Sequence, residues 1–255
     1  MRKSTTVDLL STIGETFTFE DAKRLCNLTY GSLKNLLYRL EVAGWIERIE
    51  RGKYMLIPLG AEKGKYTLNE FVIGSMLVAP YCISYWSALH YYGLTEQIPA
   101  TVFIQTTSRK KKQKLEVFGV KYQIIRLKPE KFFGMKTEWF GNEPIQITDK
   151  EKTIIDCLDK PHYCGGLIEV IKGISEGDFD KNLIVKYANE IKNTGVIRRL
   201  GFLSDYYNIH LDLPHIDKNI RNYLPLDSTM PKEGKKDSKW RLIVNLREYD
   251  LESIK

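Results

Sequence analysis

The sequence feature that constrains the fold most lies between residues 29 and 57, where the pattern of a helix is followed at once by the pattern of a β-hairpin. Thr29 is a good helix N-cap and Gly44 a good helix stop, so a helix is predicted over residues 30–43. Two short strands are predicted after it, at residues 45–49 and 53–57. Leucines fall at the i, i+3, i+4 and i+7 spacing of one buried helical stripe: Leu33, Leu36, Leu37 and Leu40.

Two shorter helices are predicted before this one. The first is marked by Leu9 and Leu10 and is ended by Gly14. The second begins at Thr18, whose side chain can pair with Asp21 across the first helical turn, and it ends near residue 25. Two helices, a short turn, an amphipathic helix and a hairpin, in this order, are typical of a winged helix-turn-helix. We therefore expect an α+β protein that begins with such a domain.

In a winged helix-turn-helix the third helix enters the major groove of DNA, where Asn can pair with adenine and Arg with guanine. The hairpin then contacts flanking phosphates or the minor groove. The alternative is a protein-interaction module, in which the polar face of the third helix is only solvated. The residues expected to contact DNA are Tyr30, Ser32, Lys34, Asn35, Tyr38 and Arg39 on the helix, and Arg48, Arg51 and Lys53 on the hairpin.

The positive charge of the chain is unevenly distributed. The formal net charge is +7, yet residues 109–136 alone hold ten basic side chains against two acidic ones. Such a segment is either a solvated loop or a second electrostatic contact with phosphates. The candidates for that second contact are Arg109, Lys110, Lys111, Lys112 and Lys114.

The chain is predicted to divide into a DNA-binding domain at 1–60, a linker at 61–68, and a larger mixed α/β domain at 69–255. The larger domain is expected to contain helices near 70–78, 84–92, 167–174, 182–192 and 194–207. Strands are expected near 101–105, 117–127, 136–140, 144–147 and 240–247. Thr148 and Glu151 form a capping-box pattern that predicts one more helix, with Ile154, Ile155 and Leu158 facing inward. Residues 227–238 are polar, with Pro, Gly and Lys, and are expected to be mobile.

Several segments of the chain resemble the AbiEi antitoxins of type IV toxin–antitoxin systems. They are YCISYWSALHYYGLTEQIP at 81–99, TVFIQTTSRKKK at 101–112, FFGM at 132–135 and ITDKEKTIIDCLDKPHYCGGLIEVIKG at 147–173. With the N-terminal unit, the resemblance extends over roughly residues 1–210. It implies a regulator that binds double-stranded DNA at its own promoter. It also implies an antitoxin that counters a nucleotidyltransferase-like toxin without requiring a stable complex.

The residues predict no enzymatic site and no cofactor. Phosphate-loop and G-x-S-x-G patterns are absent from the sequence, and Cys157, His162 and Cys164 lack a fourth ligand for a zinc site. Asp156 and Asp159 alternate with Lys152 and Lys160 on one helix, which predicts a solvated face. The alternatives are a winged-helix regulator whose second domain senses a ligand or mediates oligomerisation, and a nuclease subunit that grips DNA. No apolar run reaches the roughly 18 residues that a membrane span needs, so a cytoplasmic protein is expected.

Overall fold

A computed structural model of the chain describes residues 3–58, 60–61, 66, 68–175, 178–217 and 219–252. It is a mixed α and β structure with one six-stranded and two three-stranded sheets in these residues. Most of the predicted linker, at 62–65 and 67, lies outside the described residues. The division into domains at 1–60 and 69–255 stays a prediction.

The N-terminal elements follow the predicted order, with one strand added. The capping box at Thr18 is confirmed: its hydroxyl accepts from the Asp21 amide at 3.2 Å, and the Asp21 carboxylate accepts from the Thr18 amide at 3.0 Å. Thr29 likewise caps the third helix. The elements are α1 (Lys3–Ser11), β1 (Thr16–Thr18), α2 (Phe19–Cys26), α3 (Tyr30–Val42), β2 (Ile46–Glu50) and β3 (Lys53–Leu56).

Strand β1 was not predicted, because three residues are too few to show an alternating pattern. It pairs antiparallel with β3, which gives the sheet the order β1-β3-β2. The leucine stripe of α3 packs under this sheet with Leu10, Phe17 and Tyr54, and these residues form the first hydrophobic core.

The next elements build the six-stranded sheet, whose order is β6-β7-β5-β4-β9-β8. Within it β5 pairs with β7 and β4 with β9 in parallel, and the other neighbours are antiparallel. Strand β6 was not predicted. The elements are α4 (Glu70–Leu77), β4 (Cys82–Ile83), α5 (Tyr85–Tyr91), β5 (Thr101–Thr106), β6 (Lys114–Val117), β7 (Val120–Arg126), β8 (Met135–Phe140) and β9 (Glu143–Thr148).

The two faces of this sheet belong to different cores because side chains alternate along each strand. Val102 and Ile104 of β5 pack on the side of α4 and form the second core with Tyr122 and Ile124 of β7. Phe103 of β5 faces the other way, into the third core, which is formed largely by helices.

The C-terminal part supplies those helices and a small sheet of order β10-β12-β11. Two 3-10 turns, at Pro129–Lys131 and Pro161–Tyr163, complete the described elements. The inward positions Ile154, Ile155 and Leu158 are confirmed as fully buried. The elements are α6 (Lys150–Asp159), α7 (Leu167–Ser175), α8 (Lys181–Glu190), α9 (Thr194–Tyr206), β10 (Leu224–Pro225), β11 (Lys235–Asp237), β12 (Leu242–Val244) and α10 (Glu248–Glu252).

Two local predictions here are corrected. The N-cap of α6 is Asp149, which accepts from the Lys152 amide at 2.7 Å, whereas the Glu151 carboxylate accepts from the Asp180 amide at 2.8 Å. The capping box predicted at Thr148 is therefore wrong, because that side chain is buried and bonds to Thr153 at 2.7 Å instead. The segment 227–238 includes a strand and begins with a buried residue, and its mobility stays a prediction.

The solvated face predicted for α6 is also wrong. Lys152 is 0% and Asp156 1% exposed, and their side chains form an ion pair inside the protein. The second oxygen of Asp156 accepts from the side-chain amide of Gln105, Nε2, at 2.6 Å. The Lys152 ammonium lies 4.6 Å from the centre of the Phe133 ring. Asp159 is bound by Lys131 at 2.9 Å. Lys152 and Asp156 pair within the helix, but Gln105, Phe133 and Lys131, which surround the buried charges, lie far away in sequence. The pattern of α6 alone therefore does not show that these charges are buried.

Candidate nucleic-acid interface

Helix α3 carries the first set of predicted DNA contacts on its outer surface. Asn27 takes a left-handed backbone conformation (φ 48°) between α2 and α3, which allows the tight connection between the two helices. The leucine stripe then fixes the rotation of α3 by burying its opposite side. All six predicted residues of this helix are exposed: Tyr30, Ser32, Lys34, Asn35, Tyr38 and Arg39.

The side chains of this face are largely free for an external partner. Within the described residues, Lys34, Asn35 and Arg39 form no side-chain hydrogen bond or ion pair. The Tyr38 ring is 66% exposed, and the Tyr30 ring is 62% exposed although it touches Phe19 at 5.0 Å between centroids. The surface thus offers amide, guanidinium, ammonium and phenol groups, which can bond to base edges and phosphates.

The hairpin β2–β3 holds the second set, and its three cations differ. Arg51 is exposed in the turn, with no ion pair in the described part of the chain. Arg48 lies 3.8 Å from a Glu41 carboxylate oxygen and stays exposed. Lys53 is half-buried, and its ammonium donates to Glu50 at 3.1 Å and to the Leu77 carbonyl at 3.2 Å. Arg48 and Arg51 are therefore more available to a phosphate than Lys53.

A cluster that we call the Glu50 latch ties the basic segment to this hairpin. It consists of Glu50, Lys53, Lys110 and the Leu77 carbonyl. The Lys110 ammonium lies 2.9 Å from both Glu50 carboxylate oxygens and also donates to that carbonyl. Burial alone would raise the pKa of Glu50, but the hydrogen bonds from Lys110 and Lys53 outweigh it and hold the pKa below its ordinary value.

The five basic candidates at 109–114 consequently fall into three groups. Lys110 is bound in the latch. Lys114 begins β6 and lines a separate cleft on the six-stranded sheet. Arg109, Lys111 and Lys112 are exposed, and the described residues provide no ion-pair partner for them. Sequence alone does not separate them, because all five form one run of charge.

The start of the basic loop is anchored by two hydroxyl groups. Thr106 donates to the Pro80 carbonyl at 2.5 Å, and Ser108 donates to the Ala79 carbonyl at 2.6 Å. These bonds and the latch fix both sides of Arg109. The local sequence does not predict these two hydrogen bonds, because their acceptors are backbone carbonyl oxygens some thirty residues earlier in the chain.

Among the described residues there is no cluster of three or more His, Cys, Asp or Glu side chains arranged to hold a metal ion. Cys157 and Cys164 are buried free thiols, and burial raises the pKa of both. None of the helices in the described ranges is both long enough and apolar enough to span a bilayer.

Residues 5–57, which take in nearly all of α1 to β3, match the family model described as "Transcriptional regulator, AbiEi antitoxin". This match confirms the AbiEi resemblance over residues 5–57, and its extent from there to about residue 210 stays a prediction. The AbiEi segment therefore coincides with the elements that carry α3 and the hairpin. No curated protein matches the chain.

A solved structure extends the comparison over the whole chain. The crystal structure of the Rv2827c protein from Mycobacterium tuberculosis aligns with 98% of this chain and 93% of its own length, with a TM-score of 0.65. The sequence identity is 14%. At that identity the similarity is one of fold, and it reaches well beyond the AbiEi segment.

Proposed function

We propose that this chain is a DNA-binding transcriptional repressor and the antitoxin of a type IV toxin–antitoxin system. Residues 1–60 act as a winged helix-turn-helix that binds double-stranded DNA at the promoter of the chain's own operon. The larger part of the chain counters a nucleotidyltransferase-like toxin, with or without a stable complex. The role is non-enzymatic, as the AbiEi regulator family suggests, and a protein that binds its own promoter acts in the cytoplasm.

The observation that carries this proposal is the exposed polar face of α3, inside the segment that matches the AbiEi family. On it Lys34, Asn35 and Arg39 have no side-chain partner among the described residues. Asn35 and Arg39 lie one helical turn apart, so they share one face of α3. Asn and Arg are also the side chains that make bidentate contacts with adenine and guanine in the major groove. Arg48 and Arg51 on the neighbouring hairpin are suited to phosphates, which position a protein on DNA without specifying sequence.

The test is a competition gel shift with the full-length protein and DNA from upstream of its gene. Asn35→Ala with Arg39→Ala should remove the preference for this DNA over random duplex, because each good base contact contributes about 1–3 kcal/mol of discrimination. Asn182→Ala with Arg221→Ala is the matched control, since both residues are exposed and neither belongs to the proposed interface. Unchanged preference in the first double variant would show that another element reads the bases.

The Glu50 latch extends the proposed interface to the basic loop. Because Lys110 binds the residue directly before Arg51, the free cations Arg109, Lys111 and Lys112 are held near the hairpin turn. If these three neutralise phosphates, replacing them by Ser should flatten the slope of log affinity against log salt by up to about 2.7, at about 0.9 for each contact. The control replaces the exposed lysines Lys181, Lys186 and Lys232 by Ser.

Rescue of cells that express the toxin separates the two proposed roles. A loop variant that keeps its wild-type salt slope but no longer rescues would assign the loop to the antitoxin role. A variant that keeps both would show a solvated loop. For the antitoxin role itself, the decisive experiment is co-expression with the protein encoded by the adjacent gene: growth should be arrested by that protein alone and restored by this chain.

A further inference from the structure

The six-stranded sheet carries a cleft of about 560 Å³ that the proposed duplex interface does not use. It lies over the β5–β7–β6 end of the sheet, on the side of the third core. Strand pairing fixes its floor in two rows: Phe103 pairs with Gln123, which pairs with Lys114, and Thr101 pairs with Lys121, which pairs with Glu116. Residues directly opposite one another on neighbouring strands point to the same face, so both rows face the cleft.

One wall of the cleft is aromatic. The 3-10 turn Pro161–Tyr163 brings His162 and Tyr163 to its rim, with their ring centroids 4.1 Å apart. Tyr163 is held from behind by Phe103, at 5.9 Å, and by Tyr85, at 5.2 Å. Burial and the nearby Lys160 lower the pKa of His162 below its ordinary value, which favours the neutral imidazole. Two aromatic rings, tilted by 52° to each other, thus border the open side of the sheet, and the Lys160 ammonium lies 5.9 Å from the centre of the Tyr163 ring.

The charges of the cleft are free. Lys114, Glu116 and Lys121 are exposed, and they form no ion pair with any side chain that the structure describes. The cleft therefore presents two ammonium groups and one carboxylate beside the rings. A purely anionic ligand would be attracted by the lysines and repelled by Glu116, whereas a ligand with phosphates and N–H or O–H donors would use all three.

We propose that this cleft binds single-stranded nucleic acid, with an unpaired base stacked on the Tyr163 ring beside the tilted His162 ring and the flanking phosphates on Lys114 and Lys121. Glu116 accepts a hydrogen bond from a base amine or a ribose hydroxyl. Combining aromatic stacking surfaces with lysines is how proteins bind unpaired strands, and a duplex offers no exposed base face to stack. The volume lies within the range of pockets that enclose a small ligand, so the cleft takes one or two nucleotides and the strand continues past it.

The test measures fluorescence anisotropy of labelled eight-nucleotide U and dT strands with the full-length protein. Lys114→Ser with Lys121→Ser should weaken binding and flatten the salt slope by about 1.4, at about 0.7 for each phosphate contact on a single strand. Tyr163→Leu should weaken binding at least about fivefold through lost stacking, and Tyr163→Phe should retain it. Lys186→Ser with Lys232→Ser is the charge-matched control and should bind as the wild type does. Because dT differs from U in the 5-methyl group as well as in the ribose hydroxyl, a dU strand is measured beside them, and a weaker dU than U complex would indicate that Glu116 accepts from the ribose hydroxyl.

Location is checked independently of folding by photocrosslinking a 4-thiouridine strand and mapping the modified peptide. Crosslinks in residues 160–163 or 114–123 support the proposal. Crosslinks confined to other segments, wild-type affinity in the lysine double variant, or equal displacement by a polyglutamate of matched charge would each overturn it. The Asn35 and Arg39 double variant should keep full single-strand binding, so a failure of the proposed operator binding is distinguishable from a failure here.

Discussion

The buried ion pair of α6 gives the sharpest prediction on stability. Asp156→Asn preserves the volume of the side chain and an oxygen that can accept from Gln105, but it removes the negative charge beside Lys152. The buried ammonium then loses its ion-pair partner and keeps the Phe133 ring 4.6 Å from it. Removing one partner of a buried pair costs about 3–5 kcal/mol, which is a large part of the roughly 5–15 kcal/mol that stabilises a typical domain.

In a chain of this size each kcal/mol changes Tm by about 2–4 °C, so Asp156→Asn should lower Tm by roughly 6–20 °C in calorimetry. Lys152→Met with Asp156→Asn should recover much of the loss, because no charge remains buried. The control is Asp178→Asn, which breaks the exposed pair with Lys150 and should cost at most about 1 kcal/mol. If Asp156→Asn cost no more than this control, the charges of the pair would not both be buried as described.

Three further changes test other parts of the structure. Thr18→Ala should destabilise the protein by about 1 kcal/mol by removing a helix cap, and Thr18→Ser should restore most of it, as measured by urea unfolding. The lowered pKa of Glu50 means that its contribution to stability is present above the unfolded value near 4.5 and is lost as pH falls through the folded value. Glu50→Gln should therefore flatten the acid limb of a stability–pH curve, and an unchanged acid limb would count against the latch. Gly134→Ala should lower Tm, because Gly134 has φ +68° and an added Cβ would lie 2.8 Å from the Lys152 Cβ.

The helices of the N-terminal unit are predictable from sequence because their signals are local. A cap such as Thr18 and its partner Asp21 are three residues apart, and the leucine stripe of α3 repeats within one helix. Both patterns lie within a single helix, so they can be recognised without knowledge of any tertiary contact. The polar face of α3 follows from the same stripe, because fixing the buried side of a helix fixes its exposed side as well.

What the sequence does not predict depends on partners that are distant along the chain. Asp156 is buried because Gln105 supplies a hydrogen bond from fifty-one residues away, and no pattern within α6 contains that information. Lys110 is paired with Glu50, sixty residues earlier, so its charge is not free as those of its neighbours in the basic run are. In both cases the charge of the residue is evident from sequence, but whether that charge faces solvent is decided by the fold.

The β2–β3 hairpin connects the proposed DNA-binding surface to the rest of the fold, because its two faces pack into two different cores. Ile46 and Tyr54 belong to the first core, whereas Ile49 and Met55 pack with α4 and the six-stranded sheet in the second. A hydrogen bond also connects the N-terminal elements to the six-stranded sheet: the Glu15 backbone amide donates to the Glu143 carboxylate at 2.6 Å. Contacts among the described residues therefore set the position of α3 relative to the basic loop. If the proposed operator binding is correct, its affinity should depend on residues outside 1–60 even where they never touch DNA.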